Sequence, residues 1–530
     1  MAGNKKHKPK TIDIGDGRDP MPVAAAFDQA LACHRDGDIQ QAHALCRKII
    51  SAAPDHAGTR HLLGLIDLDR GHFEEAVSSL KQALKKQPGD PEILSPLGLA
   101  QAQTGRMKDA AGSFAAAVEA APGNAMLQSN LGAALQELGH LDEAEAAYRQ
   151  AIGIEPGNAE LHFNLGTLLA RARDTDGART AYGRAAELDP HHFRAFKNLG
   201  GLLMKNADFE NAAAALQTAV DLTPDDMETR IDLATALARQ GKGARAIGIY
   251  REILALTSPS AKVLGELAFA HMSDRDPEAA LEAAERCLAL SPGSTQGMAF
   301  KAMALNELGR QDEAQEVLGL DRFLHCFETE APAAHDSLDA FNRALIRHIE
   351  THPTLRYSST NRSLSDGRGT DELLDRAQGP FADFERLVLA AVKRYRAAIA
   401  DGREHPFTAH QPDSVRLSVW ANVMDERGFH DVHFHPPGWL SGVYYPSADG
   451  IMDAGGGDGD GRGNEHEHGG WLELGGTYYM VPSEAKPKLR HVQPRPGLMV
   501  LFPSYTGHRT IPFQGQAKRI SIAFDVMPAD

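Results

Sequence analysis

Cysteine, tryptophan, long apolar runs and net positive charge are all scarce in this chain. Its four cysteines, Cys33, Cys46, Cys287 and Cys326, are scattered through 530 residues with no paired spacing. That scatter argues against a disulfide scaffold, a cysteine zinc site or a redox motif, and it is the usage a reducing cytoplasm allows. No apolar run is long enough to span a bilayer, so no membrane partner is expected. The net charge is −16, and no basic stripe accompanies interleaved aromatics, which argues against a nucleic-acid partner. Lys5, Lys6, Lys8 and Lys10 fall in Met1–Pro22, which lacks the apolar core of a secretion signal. We expect a disordered basic tail over residues 1–22. Apolar residues make up 42% and charged residues 24% of a length that exceeds a single core, so at least two folded units are expected.

What the sequence has in abundance is periodicity. Pro54, Pro88, Pro122, Pro156, Pro190 and Pro224 recur every 34 residues, Ser258 fills one beat, and Pro292 resumes it. Leu-Gly pairs return at Leu63, Leu97, Leu131, Leu165 and Leu199, while Ala76, Ala110, Ala144, Ala178, Ala212, Ala246 and Ala280 keep the same phase. Gly71, Gly105 and Gly139 stand between two helical stretches, and each Pro ends the second because it cannot donate the next helical hydrogen bond. The pattern closely resembles the tetratricopeptide repeat over residues 23–320, with eight clear repeats and a ninth from Thr295 that decays after Gly309. The resemblance implies an all-α superhelix whose groove holds a protein or peptide. Asn130, Asn164, Lys197 and Asn198 fall where such arrays present polar side chains, either to clamp a peptide or simply to water.

Beyond residue 320 the period changes to two. Val415 to Met424, Leu440 to Tyr445, Gly497 to Pro503 and Arg519 to Val526 read as short strands, with a turn expected over Asp425–Gly428. Within this strand region lies His433-Phe434-His435-Pro436, then His508 73 residues after His435, then Arg519 eleven residues later. Two imidazoles from separate strands suit a non-heme iron site with open positions, and an Arg beyond the distal His suits bidentate capture of a carboxylate.

Six blocks in order carry a second resemblance: Trp420-Ala421-Asn422-Val423, His433 to Pro436, Ser441 to Tyr445, Leu501 to Ser504, His508, and Arg519-Ile520-Ser521. Residues 321–530 resemble the 2-oxoglutarate/Fe(II)-dependent oxygenases. The resemblance implies a double-stranded β-helix, or jelly roll, with flanking helices, together with Fe(II), 2-oxoglutarate and O2. By that resemblance His433, His508 and then His435 are the metal ligands, and Arg519, Ser521, Tyr444 and Ser441 line the cosubstrate. Tyr444 and Tyr445 point to opposite faces of their strand, so only one looks inward. No catalytic group is expected beyond these metal and cosubstrate ligands.

One position departs from most of the superfamily, where an acid stands two residues after the first His. Here it is His435. An imidazole in the acid's place, completion by Asp431 or Glu473, or two protein ligands plus water all remain open. The missing charge weakens metal retention and could admit chloride, although hydroxylation is the expected outcome over halogenation. His405, His410, His430, His466, His468 and His491 read as ordinary histidines, with His430 close enough to support the metal ligands.

Between the halves, residues 336–350 and 380–399 have helical patterns, a helical turn is expected at Thr370-Asp371-Glu372, and residues 357–369 read as a polar loop. The Gly/Asp-rich stretch from Ala448 to Gly470, with Asp453, Asp458 and Asp460, lacks calcium-loop spacing and reads as a mobile lid. The leading expectation is a hydroxylase with a protein-binding repeat arm. The alternatives are a non-catalytic scaffold with a degenerate barrel, or a cupin-like metal enzyme that does not use 2-oxoglutarate.

Overall fold

The computed structural model describes residues 11–12, 21–357, 364–375, 379–400, 404–448, 468–513 and 518–529. Most of the expected basic tail, the core of the 357–369 loop, and Asp453, Asp458, Asp460 and His466 lie outside the described residues, but the described part of that tail is ordered: Thr11–Ile12 pairs antiparallel with Met21–Pro22, and Ile12 is buried against the first repeat. The chain divides into two compact units, Met1–Leu202 and Leu203–Asp530. Among the described residues no helix is long and apolar enough to cross a membrane.

The first unit is helical throughout its repeats. Val23–Arg35 pairs with Ile39–Ala52, Ala57–Asp69 with Phe73–Leu84, Pro91–Gln103 with Met107–Ala120, Ala125–Glu137 with Leu141–Ile154, and Ala159–Arg171 with Thr175–Leu188. First helices begin every 34 residues, which is the proline period read from the sequence. Side-chain caps set several starts: Asn124 accepts from the backbone N–H of Met126 and Leu127, and Asp174 from that of Gly177. The Leu-Gly signature has a steric cause. A Cβ on Gly98 would sit 2.6 Å from Phe114, and one on Gly166 would sit 2.7 Å from Tyr182, so the glycines admit an aromatic ring between paired helices. The phased alanines, among them Ala76, Ala110, Ala144 and Ala178, are fully buried at the helix crossings. Cys46 lies in the core of the first repeat with Cys33 against it.

The second unit continues the repeat through Phe209–Leu222, Met227–Arg239 with Gly243–Leu256, and Ala261–Ser273 with Pro277–Leu290. A ninth pair follows, Thr295–Glu307 with Gln311–Leu318; its second helix has only 8 residues. Gly319, at φ 55°, stops that helix and turns the chain towards the β region.

Ten strands follow: β1 His325–Glu328, β2 Arg356–Tyr357, β3 Leu364–Gly369, β4 Val415–His430, β5 Leu440–Tyr444, β6 Leu472–Leu474, β7 Arg490–Val492, β8 Leu498–Pro503, β9 His508–Thr510 and β10 Arg519–Pro528. Seven form one antiparallel sheet in the order β1-β8-β5-β10-β4-β3-β2, and three form a second in the order β9-β6-β7. Helices Leu338–Glu350 and Pro380–Ala398 flank this mainly β region, and the outer face of the large sheet packs on Phe384 through Tyr444 and Phe524.

Three local expectations are corrected. Asp425–Gly428 is not a turn: β4 runs on to His430, because Leu364 and Ser365 pair with His430 and Phe429. Residues 364–369 form strand β3 in place of a polar loop. Thr370–Glu372 makes no helical turn, because its side chains bond the edge of β4: Thr370 Oγ1 accepts from the Ala421 N–H at 2.9 Å, and Glu372 Oε1 from the Val419 N–H at 2.9 Å.

Candidate metal and anion site

Two histidines from distant parts of the chain are clamped by their own backbones. The His433 N–H donates to the His508 carbonyl at 3.0 Å, and the His508 N–H donates back to that of His433 at 2.9 Å. This isolated antiparallel bridge sets the two rings 4.4 Å apart. The His435 N–H donates to the Ser504 carbonyl, placing the His435 ring 5.1 Å from each of the other two. One ring nitrogen from each of the three lies within 4.8 Å of the other two.

The second nitrogen of each ring already has a partner. His433 Nδ1 lies 2.7 Å from the Asp431 carbonyl and His508 Nδ1 lies 3.0 Å from the Thr506 carbonyl. A carbonyl only accepts, so Nδ1 carries the proton and Nε2 keeps its lone pair. His435 Nδ1 lies 2.6 Å from Asp525 Oδ1 and 3.2 Å from Ser441 Oγ. Three imidazoles oriented through Nδ1 are the arrangement metal-ligating histidines adopt. Enclosure and repulsion from His435 push His433 down to about 3, and burial with the same neighbours holds His508 well below the usual imidazole range. Both rings are therefore neutral at physiological pH, the form that binds a metal.

Arg519, at the start of β10, is 1% exposed. Its Nη1 donates to Thr510 Oγ1 at 3.0 Å and to Met424 Sδ at 3.3 Å, and its guanidinium stands 5.3 Å from the centre of the Tyr445 ring. Among the described residues no carboxylate pairs with it, and its Nε has no hydrogen-bond partner. Burial lowers the pKa of this guanidinium, opposed by Tyr445, but an arginine stays charged at physiological pH. An enclosed cation without a counter-charge is a receptor for an anion. Thr510 also lies 3.4 Å from His430 Nδ1, so it bridges the arginine to a ring 5.6 Å from that of His433.

The expected site residues are thus sorted by strand parity. Arg519, Ser521 and Asp525 share one face of β10, and Ser521 lies opposite Asn422 of β4. Tyr444 is not beside the arginine: its hydroxyl bonds Asn342 Oδ1 at 2.5 Å and its ring packs on Phe384, because its parity turns it to the helix side. Tyr445 takes that place. Ser441 lies beside His435, where its hydroxyl bonds Asp525 at 2.8 Å. Glu473 does not complete the metal group; Arg509 engages both of its oxygens, at 2.6 and 3.2 Å. Asp431 acts through its backbone carbonyl. Sequence reasoning missed Asp525 and Thr510 and left Tyr445 open as one of a pair; the one signal available for Asp525 was that it shares its strand parity with Arg519.

Residues 418–525 match the family model described as "Putative 2OG-Fe(II) oxygenase". Tetratricopeptide models match residues 61–125, 130–193 and 197–261, and again residues 23–48 and 296–319. The chain joins a tetratricopeptide array to a 2OG-Fe(II) oxygenase-family domain. No curated protein matches the chain. Among solved structures, YrrB, described as a TPR protein with an unusual peptide-binding site, is 20% identical, with 33% of this chain and 89% of that one covered at a TM-score of 0.31. MamA from Desulfovibrio magneticus RS-1 is 24% identical over 32% of this chain and 97% of its own, at a TM-score of 0.31. A tetratricopeptide repeat protein from Parabacteroides merdae is 18% identical over 47% of this chain and 98% of its own, at a TM-score of 0.34. The matched oxygenase-family segment contains His433, His435, His508 and Arg519.

Proposed function

We propose that the protein is a 2-oxoglutarate- and Fe(II)-dependent oxygenase of the hydroxylase type. In this reading His433, His435 and His508 hold the metal, and Arg519 takes the distal carboxylate of 2-oxoglutarate in a bidentate grip. Ser521 shares the arginine's strand face, and Tyr445 lies under the guanidinium. The observation that carries the reading is the buried Arg519, with no carboxylate partner among the described residues, on the same wall as a triad of oriented imidazoles. Iron(II), when bound with 2-oxoglutarate, would activate O2, the oxidant, so that one oxygen atom enters a substrate C–H bond and the other enters succinate as 2-oxoglutarate loses CO2. The protein's residues orient the cosubstrate, neutralise its charge and exclude water.

The repeat array, spanning residues 23–320 ahead of an oxygenase region over 321–530, serves to bind a protein or peptide, and the cytoplasm suits the free cysteines. The test is succinate release from 2-oxoglutarate by protein loaded anaerobically with Fe(II) and then exposed to air. Release by the wild type that is lost in His508→Ala and Arg519→Ala is expected. Release that survives in both variants sinks the reading. An all-imidazole ligand set also suits a metal enzyme that does not use 2-oxoglutarate; in that case Arg519→Ala leaves oxygen consumption intact.

A further inference from the structure

Three imidazole ligands with no acid among them bring the proposed iron site no negative charge of their own. Iron(II) and Arg519 together bring three positive charges into an enclosed space, and 2-oxoglutarate brings two negative ones. Leaving the third unmatched in a poorly hydrated site carries a large desolvation cost. Among the described residues one carboxylate hydrogen-bonds a ring of the triad, and it is Asp525. Its Oδ1 lies 2.6 Å from His435 Nδ1, a short hydrogen bond. Asp525 is 9% exposed and is itself held by the Ser441 hydroxyl at 2.8 Å, which in turn lies 3.1 Å from Ser504 Oγ. Ser504 provides the carbonyl that fixes the His435 backbone. His435 is thus gripped at ring and backbone by one closed network, whereas His433 and His508 lean only on carbonyls.

We propose that Asp525 is a positioning residue which supplies, through His435, the negative charge that a directly bound carboxylate supplies where an acid follows the first histidine. The His435–Asp525 pair, not His435 alone, is then the third arm of the metal site. One strand, β10, carries both the anion receptor and the compensating carboxylate. This inference rests on the oxygenase reading of the triad.

The test uses the full-length protein, with anaerobic Fe(II) titration for affinity and Co(II) absorption for ligand geometry. Wild type is expected to bind one metal ion, and His433→Ala to bind none. Asp525→Asn, nearly identical in shape, is expected to bind about 10–100-fold more weakly and to shift the Co(II) bands. Asp525→Glu is expected to recover part of the loss. In a His435→Ala background Asp525→Asn is expected to add nothing, since the carboxylate acts through that ring. Wild-type affinity and an unchanged spectrum in Asp525→Asn, or losses that add in the double variant, overturn the proposal while leaving the triad intact. A wild type that binds no metal overturns the oxygenase reading and this inference together. Should Asp525→Asn not fold, Ser441→Ala loosens the same carboxylate; shifted Co(II) bands support the proposal and unchanged bands overturn it.

Discussion

Arg519 is a buried guanidinium whose Nε has no hydrogen-bond partner among the described residues, and the surrounding β region must outweigh its desolvation. Arg519→Met keeps the stem and removes the charge, so the metal-free variant is expected to be as stable as wild type or more so by about 1–4 kcal/mol. Thermal unfolding checks this, and 2-oxoglutarate is expected to raise the midpoint of wild type but not of the variant. His435→Asp, which would restore the acid of the wider superfamily, is expected to weaken Fe(II) binding, because the new carboxylate would face Asp525 across 2.6 Å of former hydrogen bond. Tighter binding in that variant would contradict the role given to Asp525. At this scale the sequence was informative where chemistry is local. His433 and His435 are neighbours on a strand-flanked motif, and parity predicted that one tyrosine of the pair looks inward. It could not say which, because that depends on the register of β5 against β10. Parity with Arg519 put Asp525 on the right face, but its pairing with His435 could not be read, because the two lie ninety residues apart and no spacing rule joins them.

At the scale of helices and strands, the fit between paired repeat helices makes a contrasting pair of substitutions. Gly98→Ala drives a methyl into Phe114, which is buried and has little room to move, and is expected to cost about 1–3 kcal/mol. Gly112, in the interior of Met107–Ala120, has nothing within 4 Å of the place a methyl would occupy, so Gly112→Ala is expected to stabilise by roughly 0.5–1 kcal/mol. Urea unfolding of both variants distinguishes them by sign. The repeat was legible because its units reuse the same local solution: a left-handed residue at each turn and, in three of them, an aromatic ring against Gly98, Gly132 or Gly166. Even its exceptions follow the rule, since Arg173, at φ 63°, holds a turn position that Gly139, at φ 81°, holds one repeat earlier. The β region was less legible. Asp425–Gly428 carries turn chemistry, yet pairing with β3 carries it through as strand, and that pairing is a tertiary fact.

Within the second unit, the last repeats and the β region are built into each other. Tyr505 donates to the Val317 carbonyl at 3.1 Å, Thr295 to that of Gly438 at 3.1 Å, and Gln311 to that of Lys486 at 2.9 Å. Arg275 pairs with Glu484 at 3.1 Å, and the Arg239 guanidinium reaches the Tyr478 hydroxyl at 3.4 Å. The helical period stops near residue 320, but compactness groups residues 203–530. A fragment of residues 321–530 is therefore expected to lose Fe(II) affinity and solubility relative to one of residues 203–530, as metal titration and sedimentation would register. Equal behaviour of the two fragments would deny the repeats any part in the site.

Phe434 shows what that construction implies. It stands in the chain between His433 and His435, and its ring packs edge-on against Phe300 at 5.6 Å and Tyr478 at 5.5 Å. Neither imidazole can move far without dragging this aromatic wedge through the final repeats. A guest that prised Phe300 away would loosen the backbone that sets His433 and His435, so the helical array would act as a tuning peg for the proposed metal site.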